Sequence, residues 1–203
     1  MYQVVDDFEK AIAKYCGSRY ATVVNSCTNA LLLACAYLKV REVTIPNRTY
    51  VSVPMSIIHA GGSVKFDKRK WRGMYQLKPY PIWDSARLLT SGMYKKGQFI
   101  CISLHWGKTL NLGQGGVILY DDPKAKKWFE RARFDGRTQG VAPKDDHFDF
   151  IGWHCYMSPT DAADALTRLH FLPKHNKPLP DDDYPDLSKY KLWGQNVTRN
   201  NGK

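Results

Sequence analysis

The 203-residue chain contains no C-x-x-C pair, and its apolar stretches are all too short to span a bilayer. The first absence leaves neither a zinc knuckle nor a dithiol redox site to argue for, and the second removes integral membrane function. Cysteine is sparse and odd in number: Cys16, Cys27, Cys35, Cys101 and Cys155 are widely spaced and mostly set in apolar runs. That pattern reads as reduced, small core residues. Acidic residues are also few, 19 against 30 Lys and Arg, for a formal charge of +11. No zinc-finger, helix-turn-helix or RRM aromatic motif accompanies that charge, which leaves nucleic-acid binding the weakest reading of it. The N-terminus enters a charged amphipathic pattern directly, without a basic segment followed by an apolar one, so a cytoplasmic location is expected.

Hydrophobic residues make up 43% of the chain and there are six Trp, enough for one ordinary core and one soluble domain. The sequons at Asn47-Arg48-Thr49 and Asn196-Val197-Thr198 carry no weight without secretion. The basic residues cluster at Lys65, Lys68, Arg69, Lys70 and Arg72, and again at Lys124, Lys126, Lys127, Arg131, Arg133 and Arg137. An excess of cations attracts polyanions and small phosphorylated ligands alike. The second cluster falls on an amphipathic helix predicted over 123–133, where Trp128, Phe129 and Ala132 supply the apolar face.

In chain order, apolar positions at helical spacing predict a helix over 4–16 ending at Gly17, then a buried strand over 20–24. The polar junction Asn25-Ser26-Cys27-Thr28-Asn29 leads into a helix over 30–38, with Thr28 or Asn29 as its N-cap or as an anion ligand. A strand over 42–46, a helix opening at Thr49-Tyr50-Val51-Ser52 and a strand over 63–67 follow. Pro81-Ile82-Trp83-Asp84-Ser85-Ala86-Arg87 reads as a strand that ends on a carboxylate, at the sheet edge where α/β proteins bind ligands. Two more strands, over 99–104 and 117–120, flank a loop with one lysine, Lys108, and the glycine turn Gly113-Gln114-Gly115-Gly116. Taken alone, that lysine is either a solvated loop charge or a reactive amine. Ser158-Pro159-Thr160-Asp161 opens a last helix with a hydroxyl cap, Pro at N1 and an acid at N3. Residues 173–203 turn to Pro, Asp, Asn and Lys with little periodicity and read as a polar tail, within which 187–193 is a candidate docking element.

These motifs, in this order, resemble the DegT/DnrJ/EryC1/StrS family of pyridoxal-phosphate-dependent sugar aminotransferases over residues 4–172. Asn25-Ser26-Cys27-Thr28-Asn29-Ala30-Leu31 is similar to the family's phosphate turn, with Cys27 in place of a glycine. Ser103-Leu104-His105-Trp106-Gly107-Lys108 followed by Asn111 and the glycine turn resembles its cofactor-lysine segment, and Gly152-Trp153-His154-Cys155-Tyr156-Met157-Ser158 its last helix start. The resemblance implies an α/β fold: the large domain of a type I aminotransferase, a three-layer sandwich over 1–172, truncated and without the small C-terminal domain. Because only 68–83 link Asp67 to Asp84, where the family has a further strand and helix, the sheet is expected to lack a strand.

For the site, the resemblance implies that Lys108 holds pyridoxal 5'-phosphate as an internal aldimine and that Asp84 pairs with its pyridine nitrogen. Tyr50 would stack on the ring, and Thr28, Asn29 and Ser103 would hold the phosphate. Arg87 stands where the family has a neutral residue beside the ring hydroxyl, and His154 where an Asn reaches the partner's cofactor phosphate across a dimer. His105 and Trp106 are candidates to touch substrate. The activity implied is transamination of a nucleotide-linked keto sugar, with glutamate as the amino donor and a homodimer as the assembly. The alternative is a reduced relative that binds the cofactor or a nucleotide sugar without turnover, or that partners a full-length enzyme.

Overall fold

The computed structural model describes residues 2–180 and 183–194; the sequon at Asn196 falls outside them. Helix α1 (Gln3–Cys16) buries Val5, Phe8, Ile12, Ala13 and Cys16 along one stripe and stops at Gly17, whose φ of 81° lets the chain reverse. Then come β1 (Tyr20–Val24), α2 (Cys27–Tyr37), β2 (Glu42–Pro46), α3 (Ser52–His59) and β3 (Ser63–Asp67). β4 (Tyr75–Leu77), β5 (Ile82–Asp84), β6 (Phe99–Ser103) and β7 (Gly116–Tyr120) complete the strands, and α4 (Pro123–Ala132) and α5 (Pro159–His170) the helices.

The strands lie side by side in the order β1-β7-β6-β5-β4, with β2-β3 as a second ladder. Thr44 of β2 joins the two ladders through paired backbone hydrogen bonds to Lys78, of 2.8 and 3.1 Å, just beyond the end of β4. β5 and β6 are parallel, as are β2 and β3, whereas β7 runs antiparallel to both β1 and β6. Alternation along the strands sorts the core into two halves. Ala21, Val23, Ile100, Ile102, Val117 and Leu119 meet α1 and α5, whereas Val24, Cys101, Ile118 and Tyr120 meet α2 and α4. The result is the helix–sheet–helix sandwich the resemblance implied.

One expectation is corrected. The sheet does not lack a strand between Asp67 and Asp84, because β4 fills that place and pairs antiparallel with β5, Tyr75 opposite Asp84. A parallel strand would need a crossover of a dozen residues or more. A tight reversal at residues 78–81 does the same lateral job within the short link.

The junction after β1 also differs from expectation. The helix starts at Cys27, and its N-cap is Ser26 rather than Thr28 or Asn29; the Ser26 hydroxyl accepts from the Asn29 amide at 3.1 Å. Cys27 therefore occupies the first helical position, which needs no glycine. Beneath this junction lies a buried ion pair. Glu9 accepts from Arg133 and from the Val23 amide (2.8 Å), while Arg133 also donates to the Val23 carbonyl at 2.7 Å.

Past α5 the chain lies along the loops at one edge of the sheet. The Ser91 amide donates to the Lys174 carbonyl, Leu179 to Arg87 and Leu187 to Asn47, at 2.8–2.9 Å. Leu187 is buried at the start of a 3-10 turn, and a second such turn, Lys191–Gly194, follows it.

Candidate active site

The carboxyl ends of β1, β5 and β6 and the start of β7 open on one cleft of about 200 Å³. Its lining includes Thr28, Tyr50, Asp84, Ser103 and Lys108, which come from four separate sequence motifs. Asn29, Arg87 and His154 are not part of that lining. The Asn29 side chain donates to Asn25 at 2.7 Å, so it braces the turn behind the cleft. Arg87 is buried. His154 is exposed and pairs with Asp135 at 2.8 Å. His105 lines the cleft, whereas Trp106 stands 70% exposed outside it.

Each lining group is set by its local fold. α2 leaves the amides of Cys27 and Thr28 without intrahelical acceptors, and the helix dipole adds positive potential there. The Thr28 hydroxyl meets that of Ser52 at 2.8 Å, tying α2 to the start of α3. Lys108 sits at the end of a turn closed by its amide on the His105 carbonyl (3.1 Å), with Gly107 at a φ of 77°. Such a turn favours glycine at its third position. Gly116 allows a close approach of β7 to the phosphate-type turn: a Cβ there would lie 2.4 Å from the Ser26 carbonyl atoms and 2.6 Å from the Cys27 nitrogen. Backbone on both sides cannot yield as a side chain would. Gly116→Ala is therefore expected to cost about 1–3 kcal/mol, read as a lower midpoint in urea, and to weaken anion binding at the turn.

Asp84 is buried, and its carboxylate accepts from the Ala86 amide (2.9 Å) and the Tyr75 hydroxyl (2.8 Å). Burial pushes its pKa up; the two hydrogen bonds and the charge of Lys108 pull against that rise. Burial likewise raises the Cys27 thiol well above its ordinary value, which keeps it an uncharged wall. Tyr50 is 57% exposed at the cleft mouth. Its ring meets that of Tyr184 edge-on at 6.4 Å, and Tyr184 in turn stacks on Trp71 at 6.2 Å.

Sequence reasoning missed Tyr184, Ser52, Gln114 and Gly115 as lining residues, and Tyr75 behind Asp84. Tyr184 was hidden because it lies in a polar, aperiodic stretch, where one aromatic gives no pattern. The alternation of Tyr75 and Leu77 was the available signal for β4, though three residues are too few to read as a strand.

This arrangement gives an anion-binding helix terminus, a buried carboxylate, an amine and an aromatic face around one cleft. Residues 1–68 match the sequence model of the DegT/DnrJ/EryC1/StrS aminotransferase family. The fold extends the likeness beyond that segment. DesV of S. venezuelae shares it with a TM-score of 0.69 at 19% identity, over 83% of this chain and 57% of that one. Spr1654 of Streptococcus pneumoniae in its PLP-form gives 0.69 at 18%, over 84% and 59%. Helicobacter pylori PseC, an aminotransferase involved in pseudoaminic acid biosynthesis, gives 0.68 at 16%, over 84% and 58%. No curated protein matches by sequence. The chain thus spans less than two thirds of the length of these solved structures. No helix among the described residues is long and apolar enough to cross a membrane.

Proposed function

We propose that the protein is a pyridoxal-phosphate-dependent aminotransferase that moves an amino group from glutamate to a keto sugar carried on a nucleotide. The observation that supports this most is the convergence of Lys108, Asp84 and the α2 N-terminus on one cleft. The donor set fits the cofactor: hydroxyls of Thr28 and Ser103 with the free α2 amides for a phosphate, a buried carboxylate for a ring nitrogen, and a primary amine for an aldehyde. Bound there, pyridoxal phosphate supplies the aldehyde carbon and the electron-withdrawing ring.

This chain's own residues would do the rest. Lys108 would hold the aldehyde group of the cofactor and, once the amino donor has taken its place, would move the donor's α-proton at Nζ. Asp84, desolvated, would favour a protonated ring nitrogen, and Tyr50 would cover one ring face. Asn29 would keep the phosphate turn closed from behind, and Arg87, buried outside the lining, would act on the ring hydroxyl only through its charge. His154, outside this chain's own cleft, is left to reach the cleft of a second copy in a homodimer.

The test is an absorbance spectrum with added pyridoxal phosphate, followed by borohydride reduction and peptide mapping. A visible band that reduces onto Lys108 and bleaches with glutamate is the expected result. Reduction scattered over surface lysines, or no band, overturns the assignment and leaves the reduced, non-catalytic relative in its place.

A further inference from the structure

The short link between Asp67 and Asp84 does more than fill the sheet. Antiparallel pairing sets Tyr75 directly across from Asp84, and Tyr75 is only 3% exposed. Its hydroxyl donates to Asp84 Oδ2 at 2.8 Å. That proton is thereby committed, so the Thr49 hydroxyl, also in contact with the Tyr75 oxygen, is the donor in the second bond. Thr49, Tyr75 and Asp84 form a buried relay of hydrogen bonds that ends on the carboxylate facing the cleft, while neither Thr49 nor Tyr75 lines the cleft itself.

We propose that Tyr75 is a positioning residue for the cofactor ring, holding Asp84 ionised and in one orientation against the ring nitrogen. The inference rests on the pyridoxal-phosphate reading above. Packing alone does not call for the hydroxyl: the Tyr75 ring lies 4.7 Å from that of Trp71, a contact that Phe would keep. What Phe would lose is the bond to a desolvated carboxylate, and a donor to such a group favours its charged form. Asp84 has one further bond, from the Ala86 amide to Oδ1, so Tyr75 fixes the second oxygen. The supporting group sits on the β4–β5 hairpin, directly across from the carboxylate it holds.

The experiment measures dissociation constants by tryptophan fluorescence for pyridoxal phosphate and for 1-deazapyridoxal phosphate, in which a C–H replaces the ring nitrogen. Wild type, Tyr75→Phe and Thr49→Val are compared. Loss of a hydrogen bond to a charged acceptor predicts an affinity for pyridoxal phosphate lower by about tenfold in Tyr75→Phe, with little change for the deaza analogue. Thr49→Val, which keeps the phenol, shifts affinity severalfold in the same direction and carries the test if Tyr75→Phe does not fold. An equal penalty for both ligands, or none for either, overturns the proposal, because Tyr75 then acts through packing or not at all. Failure of wild type to bind pyridoxal phosphate, or binding that Lys108→Ala leaves intact in its spectrum, overturns the parent reading instead and takes this inference with it.

Discussion

Lys108→Ala is expected to lower amino transfer from glutamate by at least about 10²–10⁴-fold, the range for loss of a positioned acid–base group. Loss of covalent attachment adds to that. Among the described residues that line the cleft, Lys108 carries the only amine, and its turn is built to aim it: Gly107 takes a positive φ and the Lys108 amide closes on the His105 carbonyl. A further base on the lining is His105, whose Nδ1 lies 3.2 Å from the Trp106 carbonyl and whose ring is exposed. Lys108→Arg is not expected to rescue, since a guanidinium stays protonated and cannot take a proton from carbon. Single-turnover kinetics at saturating cofactor, with cofactor binding measured separately, read the effect. A variant that retains wild-type single-turnover rates would remove Lys108 from the chemistry.

Much of this site was legible because each part is a strand end or helix start with its own local signal. The Asp84 strand, the Ser103 strand, the lysine loop and the Ser158 cap all fall where apolar runs stop and polar residues begin. Boundaries slipped where two residues could serve one purpose: Ser26 caps α2 instead of Thr28 because its extended backbone, at φ −162°, points the hydroxyl at the Asn29 amide. What could not be read is the part made by tertiary pairing. β4 is three residues long and is defined by its pairing with β5 and by the bridge from Lys78 to Thr44. Tyr184 reaches the cleft because the Arg48 side chain donates to its carbonyl at 2.9 Å and Leu187 anchors the chain nearby. Neither contact has a sequence period.

A replacement outside the cleft lining is expected to have a comparably large effect, on stability. Arg133→Met leaves Glu9 buried without its counter-charge and should destabilise the protein by about 3–5 kcal/mol, as breaking a buried pair usually does. Burial already pushes the Glu9 pKa above its ordinary 4.5, with Arg133 opposing that rise. Without Arg133 the rise is steeper, so the folded state binds a proton that the unfolded state releases near 4.5. Stability of the variant should therefore fall as pH rises from that value toward neutrality, the direction required when the native state is the more protonated one. The double variant Glu9→Gln with Arg133→Met removes the stranded charge and should recover a large part of the loss and most of the pH dependence. Urea melts at pH 5 and pH 8 on the three proteins measure both effects. A pH-independent loss shared equally by single and double variants would mean that packing, not charge, is what Arg133 supplies. The consequence reaches the site, because Glu9 and Arg133 both bind the backbone of Val23, two residues before the junction that opens α2. Stranding that charge should loosen the anion-binding turn before the whole sheet melts, so that phosphate affinity in Arg133→Met falls at denaturant concentrations below the global transition.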